Sequence, residues 1–153
     1  MGDCVIRNAS LEDVPTITAL GAQFHHYSGF IEPYDAGTVS CVVSGLIEAD
    51  HGFVAVGVTD GRVVGMIAGM AHPCWFNAAV RVCGELFWWC EPEARGTGMP
   101  QSLMNAMRDW AKAVGCKTFT MGAIDNDRAD VMARMYRAAG FRPKERTFEM
   151  EIA

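Results

Sequence analysis

The chain has 153 residues, half of them hydrophobic and a fifth charged, enough to enclose one core and too apolar for a disordered chain. Thirteen Lys and Arg against eighteen Asp and Glu leave a net charge of −5. That balance argues against a general nucleic-acid binder, whose affinity rests on basic side chains neutralising phosphates. No apolar run approaches the roughly 20 residues that cross a bilayer. The opening Met-Gly-Asp-Cys-Val-Ile-Arg has no basic segment followed by an apolar stretch, so a soluble, cytoplasmic protein without membrane contact is expected.

In chain order, Cys4 to Arg7 reads as a short strand. Ser10 is placed to cap a helix, with Asp13 three residues on as the answering acid, and Val14, Ile17 and Leu20 follow at helical spacing. Phe24 to Gly37 is irregular, and Val39 to Ala49 reads as a second short helix. Phe53 to Val58 then runs into Asp60-Gly61, a two-residue hairpin signal, and Val63 to Met70 returns. His72 to Asn77 reads as a loop and Val82 to Cys90 as a third extended run bounded by Pro92. An amphipathic helix carries Leu103, Met107, Trp110 and Val114 on one face and stops at Gly115. Cys116 to Ala123 is a strand, and Asp130 to Ala139 a helix closed by Gly140. Phe148, Met150 and Ile152 alternate with polar residues as a half-buried closing strand. The order predicts a single α/β domain over 1–153 with a mixed sheet.

The six cysteines, at 4, 41, 74, 83, 90 and 116, contain no Cys-x-x-Cys. Their irregular spacing fits neither a zinc site nor a disulfide framework, so no metal is expected, and His72, Cys74 and Cys83 lack the spacing of a ligand set. Buried free thiols are the expectation.

The most informative segment runs from Glu85 to Pro100. A strand leads into Arg95-Gly96-Thr97-Gly98-Met99-Pro100, and that turn opens a helix. Glycines let the backbone approach a ligand, and the amides of a helix start favour an anion, so a pyrophosphate would suit the turn. No Gly-Lys-Ser/Thr follows, which excludes a Walker loop, and the third glycine of the dinucleotide fingerprint is missing. Alone, the segment could equally be an ordinary tight turn.

In context, Cys90-x-Pro92-x-x-Arg95-Gly96-x-Gly98, with a strand before and an amphipathic helix after, resembles the acetyl-CoA loop of the GNAT superfamily of N-acetyltransferases. Asn126, Ala133, Tyr136, Gly140 and Phe141 resemble that family's second block, and Ile6-Arg7-x-Ala9-x-x-x-Asp13 its usual opening. The likeness is nearest to short single-domain members, including ones carried by bacteriophages. It implies a mixed, largely antiparallel central sheet flanked by helices on both faces, and acetyl-CoA as the cofactor. It also implies that Trp88, Cys90, Arg95, Gly96, Thr97, Gly98, Met99 and Asn126 bind that cofactor. Two departures stand out. Pro100 replaces the last Gly/Ala of the loop and removes one amide donor. Asn126 lies ten residues before Tyr136, about a turn more than usual, so it can face the cofactor or merely cap the helix.

Tyr136, four residues before Gly140-Phe141, is where the family keeps the general acid for the coenzyme A thiolate; a core tyrosine packing its helix is the alternative. Glu85, in an apolar strand that would raise its pKa, is the candidate general base, with His25 or His26 as substitutes. A solvated or ion-paired strand-start glutamate is the plainer reading. Arg134, Arg137, Arg142, Lys144 and Arg146 form a local basic cluster suited to a phosphate or simply to solvent. Aromatic residues of two connecting segments, among them Tyr27, Phe30 and Trp75, are candidates for the acceptor pocket and would suit an apolar or cationic amine. The expected reaction is acetyl transfer to a primary amine of a small molecule or peptide by direct attack. A non-catalytic acyl-CoA-binding module on the same fold is the alternative. A toxin-like enzyme acting on aminoacyl-tRNA would need a basic face that a charge of −5 does not supply. A homodimer is a further possibility.

Overall fold

The structure is a computed structural model and describes residues 4–152; Met1 to Asp3 of the opening segment lie outside it. Five strands, β1 (Cys4–Asn8), β2 (Gly52–Thr59), β3 (Arg62–Cys74), β4 (Asn77–Cys90) and β5 (Cys116–Thr120), lie side by side in sequence order. The first four pair antiparallel and β5 runs parallel to β4. Helices α1 (Val14–Ser28) and α2 (Ala36–Glu48) lie between β1 and β2, and α3 (Met99–Ala113) between β4 and β5. The chain divides into two compact units, Met1–Met121 and Gly122–Ala153, and the second holds α4 (Ala129–Ala138).

Alternation along β2 sorts the core of the first unit into two layers. Val54 and Val56 join Ile17 and Leu20 of α1 and Val43 and Leu46 of α2 on one face. Phe53 and Ala55 join Met99, Leu103 and Met107 of α3 on the other. The mixed, largely antiparallel sheet with helices on both faces is therefore present as expected. At the β2–β3 turn Asp60 and Gly61 both have positive φ, 51° and 75°, as the tight hairpin read from Asp-Gly requires.

Three boundaries differ from the sequence reading. The irregular 24–37 stretch is the last turn of α1, closed by Gly29 at φ 73°, a short link, and the start of α2, capped by Asp35. The loop expected at His72 to Asn77 shrinks to a turn at Trp75-Phe76, because β3 and β4 pair out to Cys74 and Asn77. Among the described residues no strand is formed over 147–152: the polar/apolar alternation is there, but alternation alone does not make a strand without a neighbour's hydrogen bonds. β5 likewise ends at Thr120, three residues early.

The entry to α1 is held by charge. Arg7 on β1 grips Asp13 through two bonds of 2.7 and 2.9 Å, and Ser10 N–H donates to the same carboxylate at 2.8 Å. The Arg7 guanidinium, with help from Ser10, holds the Asp13 carboxyl down to about 2 despite its burial. Because the folded value lies below the unfolded one, this stabilisation is full above about pH 4 and is lost as pH falls toward 2. Asp13→Asn is expected to cost about 2 kcal/mol at pH 7 and to flatten the acid limb of stability between pH 4 and 2, read by urea denaturation across pH.

The β3–β4 ladder carries one irregularity that matters for the site. Ala68 pairs with Phe87 and Gly69 with Glu85, so Leu86 is an extra residue on β4. This bulge reverses the side-chain alternation: Cys83 and Cys90, an odd number of residues apart, both pack toward α3. Gly69 lies opposite it, where a Cβ would run into Met107 Cε and the Gly84 carbonyl. Gly69→Ala is expected to destabilise by about 2 kcal/mol. Gly45→Ala, in open space on α2, is expected to stabilise by about 0.5 kcal/mol in the same denaturation series.

Candidate active site

β4 has a different neighbour arrangement at its two ends. Its described pairing with β5 covers only Arg81 to Gly84, whereas its pairing with β3 continues to Cys90. From Glu85 onward, β4 therefore continues past the ladder with β5. Glu91 N–H donates to Val64 O at 2.9 Å, so the Val64–Glu91 pair is the hydrogen-bonded one. In an antiparallel ladder the next pair, Gly65–Cys90, must turn its backbone groups the other way. Cys90 thus directs its N–H and C=O away from β3, and the same alternation gives Trp88 this orientation.

Beyond Cys90 the chain makes a 3-10 turn at Pro92–Ala94 and reaches Gly98, whose φ of 82° caps α3. Met99, the first residue of α3, is fully buried. Its sulfur fills the space over two glycines of the sheet, where a Cβ would come within 2.5 Å on Gly57 and 2.8 Å on Gly65. These two missing side chains dock the start of α3 against the sheet. In the turn, Arg95 N–H donates to Pro92 O and Thr97 N–H to Ala94 O. Among the described residues nothing accepts from the amides of Gly96, Gly98, Met99 or Gln101. Added to the helix dipole, this cluster of donors fits a phosphate group. Pro100 takes the second helical position and removes one amide from a set that keeps four.

Arg95 is turned elsewhere. Its Nε donates to Cys90 O at 3.0 Å, and its guanidinium lies 4.4 Å from the Trp89 ring and 5.3 Å from that of Tyr27. Trp89 in turn meets Phe24 and Tyr27 and donates to Gln23 at 3.3 Å. The side chain expected at a phosphate instead ties the turn to α1. Trp88 and Cys90 pack their side chains into the α3 layer, and burial pushes the Cys90 and Cys83 thiols up to about 12, which keeps them protonated at neutral pH. Thr97 Oγ1 donates to Ala94 O within the turn.

On the opposite face of the sheet lies a cleft of about 360 Å³. Phe24 and Phe30, edge to face at 6.2 Å, form one wall; Leu86 and Phe87 from the bulge and Met66 form the base. Of the three residues read as acceptor contacts, Phe30 lines this cleft and Tyr27 packs behind it on Trp89. Trp75 is at the β3–β4 hairpin tip, stacked on Phe76 at 3.8 Å and 85 % exposed. Tyr34, another aromatic of the first connecting segment, lines the cleft as well, and so does Leu86, which was not singled out from sequence. The signal for Leu86 was present: Leu86 to Trp89 are four apolar residues in a row where a simple strand would alternate. Glu85 is half-buried immediately before Leu86.

In the second unit, Tyr136 Oη donates to Gly122 O at 2.6 Å and its ring meets Phe141. Asn126 Oδ1 accepts from Arg128 N–H at 2.9 Å in a turn just ahead of α4, whose N-cap is Arg128. Among the described residues no three His, Cys, Asp or Glu gather as metal ligands, and no helix is long and apolar enough to cross a membrane.

Residues 20–141 match the Acetyltransferase (GNAT) family. The chain belongs to that family. It is a GNAT acetyltransferase, and known structures share its fold at low identity. AAC(6')-Iy in complex with a bisubstrate analogue of coenzyme A is 16% identical, with a TM-score of 0.79 over 99% of both chains. A predicted acetyltransferase of Clostridium acetobutylicum with acetyl-CoA is 14% identical, with a TM-score of 0.79 over 97% of this chain and 96% of that one. A ribosomal-protein-alanine N-acetyltransferase of Brucella melitensis is 13% identical, with a TM-score of 0.74 over 98% and 99%. No curated protein matches in sequence.

The Arg95 arrangement is open to test by stability. Arg95→Ala is expected to cost about 1–2 kcal/mol, with about 0.5–1 kcal/mol of coupling to Tyr27→Leu in a double-mutant cycle. Additive effects of the two substitutions would remove the stacking from the account.

Proposed function

We propose that this acetyltransferase moves the acetyl group of acetyl-CoA to a primary amine of a small molecule or peptide, by direct attack within a ternary complex. The observation that carries this reading is the set of donor amides at the start of α3, placed just beyond the end of β4. Gly96, Gly98, Met99 and Gln101 would hold the pyrophosphate, and the Cys90 N–H, turned away from β3, would hold the arm that follows it. Acetyl-CoA supplies an acyl thioester already activated toward an amine.

The chain's own groups then have three tasks. A backbone N–H on the β4 edge polarises the carbonyl oxygen, a role that a donor fixed in a ladder fills without reorganisation. Glu85, half-buried beside the bulge, takes the proton that the amine must lose, directly or through one water. Tyr136 gives a proton to the departing sulfur, so that as the N–C bond forms and the C–S bond breaks the charges balance. Its phenol is oriented by Gly122 O and would exchange that acceptor for the sulfur. The high thiol values of Cys83 and Cys90 favour direct attack over an acyl-cysteine route.

Free-thiol release from acetyl-CoA in the presence of primary amines tests the reading. Tyr136→Phe is expected to lower kcat about 10²-fold and leave the acetyl-CoA dissociation constant unchanged. Glu85→Gln is expected to lower kcat by a similar factor. Unchanged turnover in both variants would overturn these assignments.

A further inference from the structure

We infer that the amine this enzyme acetylates carries an apolar body, an aromatic ring or branched aliphatic side chain, and a single positive charge. The inference rests on the acetyltransferase reading and names the substrate class of the same cleft. Its walls and base are apolar, and two of the side chains forming them are half exposed: Phe30 at 47 % and Leu86 at 48 %. Both stand where a ligand's apolar surface would cover them, and burying such side chains is the main source of affinity in small clefts.

The cleft's polar groups are mostly committed within the protein. Tyr34 Oη donates to Thr18 O at 2.6 Å, and His25 Nε2 lies 2.6 Å from Glu32 O. Asp35 accepts from Thr38 N–H at 2.6 Å as the cap of α2, and hydrogen bonds from the Thr38 side chain and backbone lower its pKa. Among the cleft's lining residues two carboxylates, Glu32 and Asp35, stand at the exposed rim, and Asp35 is already engaged by Thr38. A polyhydroxylated polycation such as an aminoglycoside would bury many hydroxyl and ammonium groups against Phe24, Phe30 and Leu86 without partners, each at a cost of about 1–3 kcal/mol. A monocation with an apolar body leaves nothing unpaired, and two rim carboxylates suffice to attract it.

The test compares 2-phenylethylamine and leucinamide with spermidine and kanamycin in the thiol-release assay, with acetyl-CoA binding measured separately by calorimetry. The apolar amines are expected to have kcat/KM values about tenfold or more above those of the polycations. Phe30→Ser, on an exposed position that folding tolerates, is expected to raise KM for 2-phenylethylamine about tenfold and leave KM for acetyl-CoA unchanged. Preference for spermidine or kanamycin, no turnover of the apolar amines, or an unmoved KM in Phe30→Ser would overturn the substrate class while acetyl-CoA binding leaves the acetyltransferase reading standing. Failure of acetyl-CoA itself to bind would remove both.

Discussion

Strand β4 runs alongside β3 for most of its length and alongside β5 over a short described stretch. β3 accompanies it to Cys90, the described pairing with β5 covers Arg81 to Gly84, and the bulge at Leu86 falls just beyond that stretch. The ladder with β3 holds the strand rigid while the backbone groups of Cys90 turn away from β3. Everything proposed for catalysis depends on that geometry. The bulge also turns Leu86 and Phe87 toward the cleft on one face and Trp88 and Cys90 toward α3. One inserted residue thus lets a single strand serve an acceptor cleft and a cofactor edge.

The turn after β4 has to be equally well placed, and it is anchored from two directions. Met99 drops into the space above Gly57 and Gly65, which fixes the first residue of α3 to β2 and β3. Arg95 reaches back to Cys90 O and stacks on Trp89 and Tyr27, which fixes the turn to β4 and α1. Between the two anchors lie Gly96 and Gly98, with open space where side chains would be. A cradle of backbone amides works only if its donors need not move when an anion arrives, and these anchors supply that preorganisation.

Much of this was legible in the sequence. The capping pair Ser10/Asp13, the Asp60-Gly61 hairpin and the amphipathic face of α3 are local signals, and each forms where it was read. The glycine turn and the blocks around Tyr136 pointed to the family that the match over 20–141 then established. What was not legible depends on tertiary partners. Arg95 in a glycine turn reads as a phosphate ligand until Trp89 and Tyr27 are seen beneath it. Trp75 reads as one aromatic among several until the hairpin carries it to an exposed tip. The alternation of 147–152 reads as a strand, yet none is formed there among the described residues.

The most direct test of the account follows the backbone amides while coenzyme A is titrated into isotope-labelled protein. The largest chemical-shift changes are predicted at Gly96, Gly98, Met99 and Gln101 and along Trp88 to Cys90, with Gly96→Asp abolishing them while the spectrum of the free protein stays folded. The substitution places a carboxylate in open space beside the proposed phosphate, so its effect is electrostatic and not steric. Changes confined to other residues, or an unaffected titration in Gly96→Asp, would contradict the claim that the start of α3 and the outer edge of β4 form the cofactor site.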